Sequence, residues 1–436
     1  MGPREAALQV LIAVRTRDAW PNSALKTCLS REKLDSRDAA LASKLCYGVL
    51  QNRGKLDFYL KQLLTGKLRD LHPVVRDILH LGLYQILELD RIPDSAAVNE
   101  SVELAKRYAP GKRSGALVNG VLRSAVRGRE TLTRPTGYEE KYSHPEALIR
   151  LLKTALPKGT LEPMLIADNT APPTLIQTNL TKITTGALTA RLETEGVSVK
   201  PHGWMTDCLE ISGGGSLEKL PAFRDGLFYV QDPASKLSIL ASELPKGANR
   251  KILDCCAAPG GKSFAAAIAT GGQVTSCDVY PHKAELIAQG AARLGLAGIT
   301  ALCRDAREYD SQWREAFDAV IVDAPCSGLG IIRKKPDIRY KKPEEFQALP
   351  ELQLEILKNQ ANYVRPGGRL VYSTCTVLPA ENEQVVQMFL KERPDFHLEK
   401  LALPDVFPAE NPGYLTLIPG QYDTDGFFIC RMGRNP

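Results

Sequence analysis

The chain has 436 residues, 44% hydrophobic and 24% charged, which allows two or three domains and excludes wholesale disorder or a fibre. No run of about 18 uninterrupted apolar residues occurs, so no membrane span is expected. The net charge of +6 is uneven: residues 1–137 hold 23 basic and 14 acidic side chains, a net of +9. That concentration suggests a polyanionic partner, RNA or DNA.

The first third carries helix-period patterns. "REAALQVLIAV" places Ala7, Leu11 and Val14 on one face, and "VVRDILHLGLYQILEL" does the same with Val75, Leu79, Leu83 and Ile86. An acidic residue precedes the first apolar run and no small-residue cleavage site follows, so it reads as an amphipathic helix and not a signal peptide. A helical bundle is predicted over 1–130. The polar, breaker-rich stretch 131–146 is predicted as a linker. Residues 147–225 mix helices with strand-like "PPTLIQTNL" and a turn-rich "ISGGGS", giving a small α+β domain. From 226 to 436 apolar strands alternate with helices, which predicts a parallel, doubly wound α/β sheet. Ligands of such sheets sit at the carboxyl ends of the strands.

The ten cysteines are irregularly spaced, with no CxxC pair and no histidine at metal-ligand spacing. They read as reduced cytosolic thiols, mostly small core residues, with no metal site.

"DCCAAPGGK" (Asp254 to Lys262) ends one predicted strand and opens a helix. Its spacing matches neither GxGxxG nor GxxxxGK[ST], so a dinucleotide or nucleoside triphosphate is not favoured. Asp278 ends the next strand, 17 residues past Gly261, where a carboxylate receives ribose hydroxyls. Asp305 ends the third strand and could accept from an adenine amino group. A ribose acceptor and an adenine acceptor without a phosphate cradle fit S-adenosylmethionine.

Two further strand ends carry thiols: Cys326 in "DAPCSGLG" and Cys375 in "STCT", with Asp323 three residues before Cys326. Cytosine C5 is a poor nucleophile. A thiolate adding to C6 makes it enamine-like, and an acid at N3 favours that addition. A second acid/base must then help release the product. One thiol to attack, one acid and a second thiol form a coherent set, but spacing does not say which thiol attacks.

Together "DCCAAPGGK", "VDAPCSGLG", "RKKPD", "STCT" and "DGFF" resemble the RNA cytosine-C5 methyltransferase family. "DSAAVNESVELAKRY" and "GALVNGVLRSAV" resemble a NusB-like domain, a fusion typical of its bacterial small-subunit rRNA branch. The resemblance implies a NusB-like RNA-binding bundle, a small RRM- or ferredoxin-like domain and a Rossmann-like class I methyltransferase domain. It also implies a small-subunit ribosomal RNA substrate, here expected for a monomeric, cytoplasmic enzyme. Cys375 would attack C6, Cys326 would assist release, and Asp323 would contact N3 near the sulfonium. Cys256, Ala257, Ala258, Pro259, Gly260, Gly261 and Lys262 would wrap the cofactor, with Asp278 on the ribose and Asp305 near the adenine. DNA cytosine methyltransferases use the other thiol, so these roles follow from the resemblance alone. Cys255 stands where the family usually has a large aliphatic residue and reads as a packing substitution. A tRNA substrate, or a non-catalytic RNA-binding or antitermination role, are the alternatives. "IIRKKPDIRYKKP" places Arg333, Lys334, Lys335, Arg339 and Tyr340 next to the Cys326 loop, a basic segment with an interleaved aromatic suited to RNA.

Overall fold

The periodic stretches of the first third become α1 (Pro3–Arg17), α2 (Pro21–Glu32), α3 (Ser36–Leu63), α4 (Pro73–Glu88), α5 (Asp94–Tyr108) and α6 (Ser114–Gly128). This computed structural model describes residues 1–17, 21–32 and 34–436. Packing divides the chain into two units. The first comprises Met1–Thr154, Asp168–Thr170 and Ile332–Lys342; the second comprises Ala155–Ala167, Ala171–Ile331 and Pro343–Pro436. No described helix is long and apolar enough to cross a membrane.

In the helical unit the predicted stripes face inward. Ala7, Leu11, Val75, Leu79, Leu83 and Ile86 are buried, with Val14 at the edge of the same core. Side chains cap the helices: Asp35 Oδ1 accepts from the Asp38 amide at 2.7 Å ahead of α3, satisfying a first-turn donor. Segment 131–146 is not a loose linker. It contains α7 (Tyr138–Tyr142) and bonds along α3. The Gln62 side chain donates to Thr133 O (3.1 Å) and accepts from Thr133 N (3.0 Å), and the Lys55 amide donates to Ser143 Oγ at 2.9 Å. Polar composition marks a missing period, not missing partners.

Arg339 and Tyr340 also depart from the sequence reading. Arg339 is 0% exposed. Its Nη1 donates to Gln51 O (2.9 Å), Tyr142 O (3.3 Å) and Asn169 Oδ1 (2.7 Å), and its Nη2 to Asp168 O (3.1 Å). The Tyr340 hydroxyl donates to Leu50 O at 2.8 Å, and the Arg53 guanidinium lies 5.4 Å from its ring centroid. Arg339 is not available to phosphate, whereas Tyr340 is half-buried with its hydroxyl committed. A guanidinium offers five donors; here three backbone carbonyls and the Asn169 side-chain oxygen take those of the two Nη groups, and Nε has no partner among the described residues.

The second unit begins, after α8 (Glu146–Ala155) has spanned the boundary, with α9 (Leu161–Ala167). It continues through β1 (Thr174–Thr178), α10 (Thr185–Thr194), β2 (Val197–Pro201), β3 (Cys208–Gly213), α11 (Pro221–Arg224) and β4 (Phe228–Val230). The strands form an antiparallel sheet of order β2-β3-β1-β4, the ferredoxin-like arrangement. Its last strand lies past residue 225, the boundary read from sequence. A short apolar run does not declare which sheet it joins.

There follow α12 (Pro233–Leu240), β5 (Lys251–Asp254), α13 (Gly261–Thr270), β6 (Gln273–Asp278), α14 (Pro281–Leu294), β7 (Ile299–Cys303) and β8 (Phe317–Asp323). The chain ends with α15 (Leu349–Ala361), β9 (Val364–Thr374), α16 (Glu383–Glu392), β10 (Phe396–Leu398), β11 (Tyr414–Leu417) and β12 (Phe427–Arg434). The sheet order is β10-β12-β9-β8-β5-β6-β7, with β11 on β12. From β9 to β7 neighbours are parallel. The chain moves outward from β5 through β6 to β7, then returns to β8 on the other side of β5, which opens a crevice at their carboxyl ends. Periodicity does not reveal that β10, β11 and β12 extend the sheet antiparallel. Strand β12 is buried along nearly its whole length, Arg431 included, so its sequence lacks the apolar–polar alternation that would mark an antiparallel strand with one solvated face.

The two sheets share a core. Leu175 of β1 packs in one cluster with Leu237 of α12 and with Phe427 and Ile429 of β12. The Asn179 amide donates to Gly226 O and Leu294 O, both at 2.9 Å. The small domain is therefore a wall of the second unit and not a pendant module.

Two features of this unit have measurable consequences. Gly330 follows the Cys326 loop, and a Cβ there would lie 2.1 Å from Gly426 O. Gly330→Ala should destabilise the unit by roughly 1–3 kcal/mol, read as a lower urea midpoint. Asp254 ends β5 fully buried. Burial pushes its carboxyl up to about 7, against the pull of the Ser263 hydroxyl, which donates at 2.7 Å. The folded protein then holds a proton that the unfolded chain releases near 3.8. Stability from this group falls as pH rises between those values and is flat above them. Relative to Asp254→Asn, the wild type should lose up to roughly 4 kcal/mol across that window, measured by urea unfolding at each pH.

Candidate active site

Beyond β5 the chain turns tightly into α13. The Ala257 amide donates to Cys277 O (2.8 Å) and the Gly260 amide to Ala257 O (2.7 Å). Gly260 has φ +110°, and a Cβ there would lie 2.4 Å from the Phe264 ring, so only glycine fits. The loop Cys256 to Gly261 thus reaches the crevice with the first-turn amides of α13 behind it, which a helix leaves without intrahelical acceptors. Cys255 is buried, and burial pushes its thiol well up. It is an inert packing residue. Lys262 turns away from the loop: its Nζ lies 2.8 Å from Asp323 Oδ2, 2.9 Å from Ser235 Oγ and 4.8 Å from the Phe427 ring centroid.

Carboxylates stand at successive strand ends. Asp278, ending β6, is buried; its Oδ1 accepts from the Tyr280 amide at 3.1 Å and lies 3.8 Å from Lys283 Nζ. Asp305 lies two residues beyond β7 and is gripped by Arg307 at 2.6–3.2 Å. Those bonds hold its carboxyl below the usual range. Asp254 adds a third carboxylate, which the sequence reading left without a role. Its Oδ1 is buried without a partner among the described residues. Its strand-end position was the available signal, the same one that identified Asp278.

The thiols meet through strand register. Parallel pairing sets Asp323 opposite Ser373, whose hydroxyl donates to Asp323 Oδ1 at 2.8 Å. Cys326 and Cys375 extend from these adjacent ends, with sulfurs 3.1 Å apart, and the Cys375 amide donates to Cys326 Sγ at 3.3 Å. Both side chains are half-buried. The neighbouring Cys375 sulfur, with burial, pushes the Cys326 thiol well above its ordinary value. Cys326 therefore keeps its proton and can donate it toward Cys375. The "DGFF" motif closes the site: the Gly426 amide donates to Gly330 O (2.8 Å), and the Gly330 amide to Cys375 O (3.0 Å).

Cys375, Cys326, Asp323 and Lys262 thus form one cluster beside the Asp254–Asp278 crevice. Arg333, Lys334 and Lys335 lie with Arg339 and Tyr340 in the segment assigned to the helical unit. Ser235, Ser373 and Phe427 were not singled out from sequence; Ser373 and Phe427 lie within the "STCT" and "DGFF" motifs, which were the available signal, and no spacing rule marks Ser235. No described group of three or more His, Cys, Asp or Glu side chains is arranged to hold a metal ion.

Comparison with known proteins places this geometry. Residues 241–433 match the 16S rRNA methyltransferase RsmB/F family, residues 1–127 the NusB family, and residues 144–218 the ferredoxin-like domain of RsmF/B-like methyltransferases. The probable ribosomal RNA small subunit methyltransferase B of Bacillus subtilis is 37% identical over 98% of both chains. Ribosomal RNA small subunit methyltransferase B of Vibrio cholerae is 35% identical over 100% of this chain and 98% of its own. Among solved structures, PH0851 superposes with a TM-score of 0.81 at 25% identity over 99% of each chain. A methyltransferase homolog protein from Pyrococcus horikoshii gives 0.58 at 24%, covering 68% of this chain and 97% of its own. With relatives this similar along nearly its whole length, the chain belongs to the 16S rRNA methyltransferase RsmB/F family and carries a NusB-family domain at its N-terminus.

Proposed function

We propose that this protein, acting in the cytoplasm, methylates C5 of a cytosine in small-subunit rRNA through a covalent bond between Cys375 and C6 of the base, with S-adenosylmethionine as methyl donor. The observation that carries the reading is the 3.1 Å sulfur pair at adjacent strand ends, beside the Asp323–Lys262 ion pair. The crevice residues fit the donor. Asp278 suits ribose hydroxyls and Asp305 an adenine amino group. Asp254 offers an unpartnered oxygen, and the loop cation Lys262 is committed to Asp323 rather than to phosphate. When bound, the donor supplies an electrophilic methyl group.

The chain's own residues do the rest. Cys326, protonated, donates toward Cys375 and favours the thiolate there. That thiolate adds to C6. Its electron pair forms the Sγ–C6 bond, and the C5–C6 π pair becomes nucleophilic at C5. The proton that Cys375 gives up passes by way of the Asp323 carboxylate to N3, and the Lys262 ammonium beside it offsets the developing charge. After C5 takes the methyl group, its proton passes to solvent. That C–H pair restores the double bond, and the Sγ–C6 bond breaks toward sulfur. Cys326 donates a proton to the departing Cys375 thiolate, and the N3 proton returns by way of the Asp323 carboxylate to Cys326. A cytosine in a duplex must leave its stack to reach these half-buried sulfurs. Arg333, Lys334 and Lys335 remain proposed phosphate contacts.

Bisulfite sequencing of small-subunit rRNA from cells with and without the gene should show one cytosine that loses protection; an identical pattern would refute the reading. Cys375→Ser should cut methylation by about three orders of magnitude or more without altering the melting temperature. Cys326→Ala should accumulate an SDS-resistant RNA–protein band. Accumulation with Cys375→Ala instead would reverse the two roles.

A further inference from the structure

A second carboxylate lies beneath the two cysteine loops, and the mechanism above does not use it. Glu381 ends a short 3-10 turn, Pro379–Glu381, between β9 and α16. It is 1% exposed. Its Oε2 accepts from the Ser327 amide at 2.9 Å and from Gln353 Nε2 at 2.8 Å. Gln353, near the start of α15, also donates from Nε2 to Pro325 O at 3.0 Å. The residues on either side of Cys326 are thus held by one carboxylate–amide pair. The Tyr372 hydroxyl fixes the turn by donating to Glu381 O at 2.7 Å. Ser327 Oγ lies 2.7 Å from Thr376 Oγ1, tying the Cys326 loop to the Cys375 loop.

Burying a carboxylate is costly unless its bonds are met. Yet neither Glu381 Oε1 nor Gln353 Oε1 has a hydrogen-bond partner among the described residues. A neutral glutamine at 381 would retain an acceptor for both donors at lower desolvation cost. What only glutamate adds is negative charge beneath Cys326.

We infer that Glu381, seated by Gln353, is a positioning residue for Cys326: it clamps the loop on both sides of the thiol and keeps that thiol in its proton-carrying form. The inference rests on the release role proposed for Cys326. The groups facing that thiol are Cys375 and Tyr372 on β9 and its end, Glu381 on the turn, and Asp323 at the end of β8, the last ion-paired with Lys262. Among the described residues, Glu381 is the acid of this group with no cation bonded to it. Its charge and that of Asp323 both raise the Cys326 thiol, after the larger effects of Cys375 and burial. A thiol that ionised readily would compete with Cys375 for the base and would have no proton to return. The charge at Glu381 therefore separates the duties of two otherwise similar cysteines.

The test uses the full-length protein without RNA or methyl donor. Iodoacetamide labelling of Cys326 is followed peptide by peptide from pH 7 to 11, with exposed Cys303 as internal control. Glu381→Gln should move the Cys326 midpoint down by about one pH unit, as expected for loss of a nearby like charge, while Cys303 does not move. Gln353→Leu keeps the carboxylate but frees Pro325 O. It should raise the plateau labelling rate of Cys326 several-fold without lowering the midpoint. With RNA and donor present, Glu381→Gln should increase the SDS-resistant adduct several-fold over wild type. A Glu381→Gln midpoint coinciding with wild type would overturn the inference. So would an unchanged plateau in Gln353→Leu, which keeps the test decisive if Glu381→Gln fails to fold. Failure of the methyltransferase reading would appear separately, as a wild type that leaves rRNA cytosines unmodified.

Discussion

The parallel register of β8 against β9, which sets Asp323 opposite Ser373, is the constraint on which the site depends. Strand side chains alternate with a period of two, so a slip of one residue would turn every group at these ends to the opposite face. Because the register holds, two loops that are far apart in sequence start side by side. Their sulfurs then meet at 3.1 Å while Asp323 stays under Ser373 and Lys262. The antiparallel β12 locks the far side of β9, from Phe428 on Thr374 to Gly433 on Arg369. Its leading turn brings Gly426 against Gly330, a backbone approach that a side chain on either would forbid.

Charge at the strand ends is arranged by partner. Asp323 has an ammonium and a hydroxyl, and Asp305 a guanidinium fork. Asp254 has a hydroxyl, and burial moves its proton affinity toward neutrality. Glu381 is held by an amide and a backbone N–H. Here four carboxylates with four environments sit around one crevice and one sulfur pair, and the environments assign different work to chemically identical groups.

Basic residues show the same dependence on surroundings. The N-terminal third carries its excess of positive charge on amphipathic helices whose apolar faces form the core. The basic run after Ile331 contributes differently. Arg339 is consumed by carbonyl oxygens of the helical unit, and Tyr340 is tied to Leu50. In sequence, a basic stretch beside a reactive cysteine has the composition of a phosphate-binding loop. Composition does not distinguish a guanidinium facing solvent from one that satisfies buried backbone.

The sequence alone determined the order of domains, the doubly wound core and the strand-end residues Asp278, Asp323, Cys326 and Cys375. Helical and strand periods, glycines at tight turns and reactive groups at the ends of apolar runs are local properties, and local sequence encodes them. Its motifs also carried the family resemblance that the relatives then established. Only the tertiary structure decided that Lys262 serves Asp323, that Arg339 is buried, that β10 to β12 run antiparallel and that the small sheet shares a core with the large one. It alone brought Glu381 and Gln353 under Cys326. Each of these depends on which distant backbone groups lack partners once the sheets close. No period or spacing along the chain records that quantity.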